Sequence, residues 1–77
     1  MTKFEKIKEI LLVENEEFRK IAFKHRELDE EIEKLSKKKY LTPEEQLKEA
    51  ELKKQKLALK DKLLYFIEEY KKNHPEL

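Results

Sequence analysis

Cysteine, glycine and tryptophan are all absent from this chain of 77 residues. Without cysteine the chain can form no disulfide, no thiolate metal site and no cysteine nucleophile, and this absence is compatible with the cytoplasmic location that we predict. Without glycine it lacks the glycine-rich loops that bind phosphate groups. The longest apolar run is Ile10-Leu11-Leu12-Val13, which is too short for a membrane span or for the core of a signal peptide. These absences argue against several classes of enzyme and against a membrane-spanning protein.

What the chain has in abundance is charge, which makes up 48% of its residues. The 19 basic side chains nearly balance the 18 acidic ones, so long-range attraction of polyanions should be weak. So much charge would favour disorder, but the apolar residues, 38% of the chain, recur with helical spacing. This combination is typical of a long helix or coiled coil. We therefore predict one helical domain over residues 1–77, and the abundant charge also suggests a thermophilic source.

Two helix-capping signals divide the first half of the chain. Thr2-Lys3-Phe4-Glu5 has the pattern of a capping box, which predicts a short helix over about residues 3–13. Asn15 is a second N-cap residue, and the two glutamates that follow it suit the first turn of a helix. We therefore predict a break near Asn15 and a second helix over about 16–38. Because the apolar spacing continues through this point, one helix over 3–38 is the alternative.

The clearest boundary in the sequence is Thr42-Pro43-Glu44-Glu45. Threonine caps the new helix, proline occupies the first helical position, where no N–H is needed, and the second glutamate completes a capping box. The last helix should run over about 43–72 and end before His74-Pro75. The short connection forces this helix to lie antiparallel to the helix over 16–38.

The apolar stripes of the two long helices predict how these helices pack. On the middle helix the apolar residues recur every three or four positions, with His25 as the polar ring among them, and the last helix carries a matching stripe. In the predicted register the numbers of facing residues sum to 84. The facing pairs are Ile32 with Leu52, Leu28 with Lys56, His25 with Leu59, Ile21 with Leu63, and Phe18 with Phe66. The sequence thus predicts an all-α, antiparallel, coiled-coil-like helical hairpin with a short N-terminal helix.

His25 is the centre of a predicted polar cluster in the seam of the hairpin. Asp29 lies one turn later on the same face, and Gln55 and Lys56 should lie close across the interface. In one interpretation Asp29 holds His25, and the cluster fixes the register of the helices. In the other, His25 is a metal ligand or general base, and a dimer would bring two such pairs together. One histidine and one aspartate cannot complete a typical zinc site, so we predict no metal, cofactor, small-molecule substrate or catalytic residue.

A second apolar stripe on the last helix lies roughly 120–160° around from the seam. It consists of Ala50, Leu57 and Leu64 at heptad spacing, and Phe23 also points away from the seam on the middle helix. Surplus apolar surface on a small domain favours association. Either the N-terminal helix covers these residues or another chain does. We therefore predict an interaction or scaffolding module that forms a homo-oligomer or binds a helical partner, with these four residues as the candidate interaction face.

Two lysine clusters raise the alternative of a small nucleic-acid-associated protein, because lysine side chains neutralise phosphates. Tyr40 beside the first cluster could stack on a base. In the predicted register, however, the lysine-rich stretch 52–63 faces the acidic stretch 27–33, so much of this charge can be neutralised within the hairpin. The candidate nucleic-acid contacts are Lys37, Lys38, Lys39, Lys53 and Lys54.

Two motifs in the long helices carry a family resemblance. They are H-x-x-L-D-x-x-I, which begins at His25, and L-K-K-x-K-L-x-L-K-D, which begins at Leu52. Over about residues 4–70 the chain resembles the YdcH-like family of small bacterial proteins, a domain of unknown function. The resemblance implies a helical hairpin with coiled-coil character and no established activity. The chain departs from the family pattern at Glu16, where a proline is common, and at Lys62, where an acidic residue is common.

Overall fold

The structure is a computed structural model and describes residues 2–77. Helices α2 and α3 pack along each other as a hairpin, and α1 contacts both of them. This arrangement confirms the predicted all-α class and the hairpin with a short N-terminal helix. The predicted ends of the first and last helices each fall one residue short. The three helices are α1 over Lys3–Glu14, α2 over Glu16–Ser36 and α3 over Pro43–Asn73.

The break between α1 and α2 is confirmed, and the alternative of one continuous helix is wrong. Asn15 has an extended backbone (φ −115°, ψ 108°), and its side chain accepts a hydrogen bond from the Phe18 N–H. Its own N–H donates to the carbonyl of Leu11 at 2.9 Å. The Arg19 guanidinium donates to the carbonyl of Leu12 at 2.9 Å. The last carbonyls of α1 and the first N–H groups of α2 thus find partners at the break, as helix ends require.

Helix α2 ends at Ser36, two residues before the predicted end at 38. The Ser36 hydroxyl donates to the carbonyl of Ile32 at 2.8 Å. The N–H of Lys38 bonds to the carbonyl of Leu35, three residues back rather than four, at 3.1 Å. Such a bond tightens the backbone into a 3₁₀-type turn. The chain therefore leaves the α-helix earlier than the run of lysines indicates.

The predicted caps are present where the other two helices begin. At Thr42 both bonds of the capping box form, because its hydroxyl accepts from the Glu45 N–H and its N–H donates to the Glu45 carboxylate. At Thr2 the hydroxyl accepts from the Glu5 N–H at 3.2 Å, which is one half of the predicted box. Caps of this kind typically stabilise a helix by about 1 kcal/mol. These local signals set where α1 and α3 begin.

The core consists of two apolar clusters along the hairpin. The first joins Ile7 and Leu11 of α1 to Phe18 of α2 and Ile67 of α3. The second lies toward the hairpin turn and contains only residues of α2 and α3. Its buried members are Leu28, Ile32 and Leu52. Helix α1 therefore covers one end of the hairpin and leaves the rest of α2 and α3 without a third helical layer.

The predicted register of the hairpin is confirmed at both of its ends. The rings of Phe18 and Phe66 pack edge to face, with centroids 5.9 Å apart and planes at 80°. Ile32 and Leu52 lie in the same buried cluster at the other end. An aromatic pair in this geometry contributes beyond its buried area. The stretch between these ends holds His25, where the packing changes from apolar to polar.

Candidate functional site

All three helices line one open groove with a volume of about 730 Å³. We call it the basic groove, because five of its lining side chains are cationic and one, Asp29, is acidic. Its apolar lining comes from every helix, with Phe4 and Leu12 on α1, Phe23 on α2, and Leu63 and Leu64 on α3. The cationic side chains that line it are Lys8, Arg19, Arg26, Lys56 and Lys60.

In the predicted polar cluster, the hydrogen bond joins Asp29 to Lys56. Asp29 accepts a hydrogen bond from the ammonium of Lys56 across the hairpin, at 2.5 Å. The Nε2 atom of His25 is buried without a hydrogen-bond partner among the described residues. Among the described residues, the hydrogen bond of Asp29 is to the lysine on α3 rather than to His25. Gln55 lies exposed on α3 and has no part in the cluster.

Burial and the neighbouring charges lower the pKa of His25. Burial lowers the pKa of His25, and the charge of Lys56 lowers it further. Lys8 from α1 and Lys60 from α3 act in the same direction, and Asp29 alone opposes them. The pKa of Asp29 is lowered as well, chiefly because its carboxylate accepts a hydrogen bond from Lys56. The surroundings thus disfavour the imidazolium form of His25 and favour the charged form of Asp29.

His25 should make the stability of the protein fall as the pH drops below about 6.5, the ordinary pKa of a histidine. Because its pKa in the folded state lies below the ordinary value of 6.5, the unfolded chain binds the proton more readily. The free energy of unfolding should be at its full value above that pH and should fall as the pH drops below it. We expect His25→Gln to flatten this slope, measured by urea unfolding at a series of pH values. His74→Gln, which changes the other histidine, should keep the slope, and a wild-type slope in His25→Gln would contradict the account.

The predicted interaction face is uncovered, because α1 packs on the side of Ile67 instead. Leu57 is 59% exposed, Phe23 63% and Leu64 37%, and Ala50 is also exposed. Phe23 and Leu64 lie at the edge of the basic groove. Ala50, Leu57 and Leu64 belong to a heptad pattern on the face of α3 that points away from the hairpin. We call this pattern the outer seam, and its residues are Leu47, Ala50, Lys54, Leu57, Asp61 and Leu64.

Three of the five candidate nucleic-acid lysines lie close to carboxylates of the same chain. Lys37 lies 3.7 Å from the carboxylate of Glu33, and Lys53 lies 3.5 Å from that of Glu49. Lys38 forms a close ion pair with Glu45, whose pKa this hydrogen bond lowers. The remaining two are Lys39, whose ammonium lies 5.8 Å from the ring centroid of Tyr40, and Lys54 on the outer seam. A phosphate would have to displace a carboxylate from three of the five.

Metal binding and membrane insertion each require a feature that can be looked for in the part of the chain that the structure describes. Among residues 2–77, no three histidine, aspartate or glutamate side chains come together as a metal site requires. No helix in the same residues has the length and apolar content needed to cross a bilayer.

Sequence reasoning missed residues at both candidate surfaces. Leu47 is 63% exposed and lies three residues before Ala50, so continuing the heptad pattern backward would have found it. Lys8 and Lys60 were missed because they are 52 positions apart in the sequence and meet only through the way α1 docks. That docking depends on the extended backbone of Asn15, which no periodicity reveals.

Comparisons with known proteins add a family and no activity. A family model described as "Protein of unknown function (DUF465)" matches residues 18–66. The match covers most of the α2–α3 hairpin and the whole outer seam, and it leaves α1 outside. The resemblance to the YdcH-like family is consistent with it. No curated protein and no solved structure matches the chain.

Proposed function

The chain belongs to the DUF465 family, proteins of unknown function, and we propose that it is a small helical interaction module whose outer seam binds a second copy of itself. The observation that carries the proposal is the exposure of this seam. Leu47 is 63% exposed and Leu57 is 59% exposed, and both lie on a heptad stripe opposite the packed face of α3. A helix that is apolar on two faces buries one in its own chain and needs a partner for the other. The proposed role is non-catalytic.

The order of residues along the outer seam favours an antiparallel pairing of two α3 helices. When the numbers of facing residues sum to 111, every facing pair contains at least one apolar residue. The facing pairs are Leu47 with Leu64, Lys54 with Leu57, and Ala50 with Asp61. In this register Asp61 packs over the small Ala50 and lies one turn from Lys54 of the second copy, where opposite charges attract. A parallel pairing would stack Lys54 on Lys54 and Asp61 on Asp61, which like-charge repulsion disfavours.

One flank of the antiparallel arrangement carries like charges. Lys53 of one copy lies near Lys60 of the other, at the solvent-exposed edge of the seam. Repulsion between exposed ammonium groups is screened by salt and weak. Like charges stacked inside the seam would be far less screened, because the neighbouring leucines exclude water. The central layers therefore decide the orientation, and the flank does not.

Sedimentation equilibrium over a wide concentration range tests the proposal. We expect the mass to rise from the monomer value of 9.5 kDa toward twice that value as concentration increases. The dependence follows from mass action between identical chains. A strictly monomeric protein at the highest concentration would sink self-association and leave a different helical partner as the candidate for this seam.

The same preparation should be titrated with short RNA and DNA at two salt concentrations. We expect no binding at physiological salt, because ion pairs within the chain occupy three of the five candidate lysines. Tight binding whose affinity falls steeply with salt would favour the nucleic-acid alternative instead, and the slope would count the phosphates that are contacted.

A further inference from the structure

We infer that the basic groove binds an amphiphilic anion, a carboxylate carried on an acyl chain. This site is separate from the proposed self-association, with which it shares only Leu64. The groove has the two features that such a ligand needs, an apolar lining and a concentrated positive charge. Its volume of about 730 Å³ lies within the range of small-molecule sites in proteins.

The proposed carboxylate site is formed by two lysines that have no ion-pair partner among residues 2–77. Lys8 from α1 and Lys60 from α3 both line the groove, and neither forms an ion pair with any described residue. His25 lines the same groove, and its Nε2 atom is buried without a hydrogen-bond partner among residues 2–77. A carboxylate at this point would pair with both ammonium groups. Its negative charge would also offset the positive surroundings of the His25 ring.

The field at His25 comes from charged residues of the same groove and is positive on balance. Lys8, Lys56 and Lys60 each lower the pKa of the ring, and Asp29 alone raises it. Cations from α1 and α3 therefore act on the ring together, with one carboxylate on α2 against them. Because Asp29 is already bonded to Lys56, the excess positive charge belongs to Lys8 and Lys60. A bound anion would relieve this excess.

The acyl chain would cover the apolar residues that the three helices leave open. Phe4 on α1 is 47% exposed, Phe23 on α2 is 63% exposed and Leu64 on α3 is 37% exposed. All three line the groove. Covering their surface removes apolar area from water, which is the main driving force for binding an aliphatic chain.

The distribution of charge favours one anionic head group over an acidic helix. The other cations of the groove already have partners, because Arg26 pairs with Glu30 and Arg19 donates to backbone carbonyls. Free positive charge is thus concentrated around one ring rather than spread along the groove. An acidic helix presents carboxylates at successive turns and would need free cations at matching intervals.

Titration with dodecanoate below its micelle concentration tests the proposal, followed by NMR of the His25 ring and the Phe23 methylene. We expect saturable binding and a rise in the pKa of His25 in the complex, because the ligand's charge favours the imidazolium. Dodecyltrimethylammonium, which has the same chain and the opposite charge, should bind far more weakly. Equal binding of the two amphiphiles would overturn the carboxylate site. Binding of an acidic amphipathic peptide without binding of dodecanoate would overturn the choice of ligand.

Two lysine variants on the same helix separate the groove from general electrostatics. Lys60→Gln should weaken dodecanoate binding about tenfold, because it removes one charge-assisted hydrogen bond. Lys62→Gln changes the net charge equally, two residues away and outside the groove, and should leave the affinity unchanged. Equal losses in the two variants would contradict a built site. The titration is repeated on Leu57→Glu, where retained binding shows that the groove acts independently of self-association.

Discussion

Replacing Phe18 with alanine should lower the free energy of unfolding by about 3–5 kcal/mol. Phe18 is fully buried, and it lies in the one cluster to which all three helices contribute. Its ring packs edge to face on Phe66, with centroids 5.9 Å apart, so the substitution removes an aromatic pair and leaves a cavity. Single domains of this size are marginally stable. Much of the variant should therefore be unfolded near 37 °C, as followed by the helical signal in circular dichroism.

Phe23→Ala is the matched control, because it makes the same change on the same helix at a side chain that is 63% exposed. We expect its effect to stay within about 0.5 kcal/mol, the usual range for exposed positions. Both variants should be measured at low protein concentration, so that self-association does not add to apparent stability. Equal losses for the two phenylalanines would show that the core is not where the structure places it.

Replacing Leu57 with glutamate should weaken self-association by about a hundredfold and leave the folded hairpin intact. Residue 57 occurs twice in a symmetric pair, and complete burial of one leucine contributes about 1.5–3 kcal/mol. Leu57 is 59% exposed in the single chain, so a large part of that contribution is available to the interface. Each glutamate would face Lys54 of the second copy, but the cost of removing both charges from water offsets most of that attraction. Sedimentation equilibrium measures the change, and circular dichroism checks that the helices remain.

Gln55→Glu supplies the control for the added charge. Gln55 is exposed on the same helix two residues away, and it lies outside the outer seam. We expect its self-association to match that of the unmodified protein. If Gln55→Glu dissociates as readily as Leu57→Glu, net charge rather than the seam governs association, and the proposed interface is wrong.

The elements and the register of the hairpin could be predicted because each rests on a local signal. Thr42 and Asn15 carry capping side chains that mark helix starts directly in the sequence. The pairing of Phe18 with Phe66 followed from setting one apolar stripe against the other across a short turn. The early end of α2 at Ser36 was missed because a 3₁₀-type turn and an α-helical turn suit the same lysines.

The residues of the polar cluster could be predicted from the sequence, but the hydrogen bond that Asp29 forms could not. Asp29 can reach His25 along its own helix or Lys56 across the hairpin, and sequence spacing permits both. The structure selects Lys56, whose long side chain carries its charge to the carboxylate. The basic groove could not be predicted at all, because it exists only once the backbone at Asn15 turns α1 back over α3. A pattern within one helix carries no information on the angle at which α1 turns back over α3.

The distance between spin labels in the self-associated protein tests the central claim most directly. The chain has no cysteine, so a single cysteine at Lys53 or at Lys48 labels one site in each copy. In the antiparallel register, equivalent positions are separated along the helix axis by about 8 Å at residue 53 and about 22 Å at residue 48. We therefore expect strong dipolar broadening at residue 53 and a clearly longer distance at residue 48. Equally short distances at both positions would show a parallel pair, and no dipolar interaction at either would show that the outer seam does not bind a second copy.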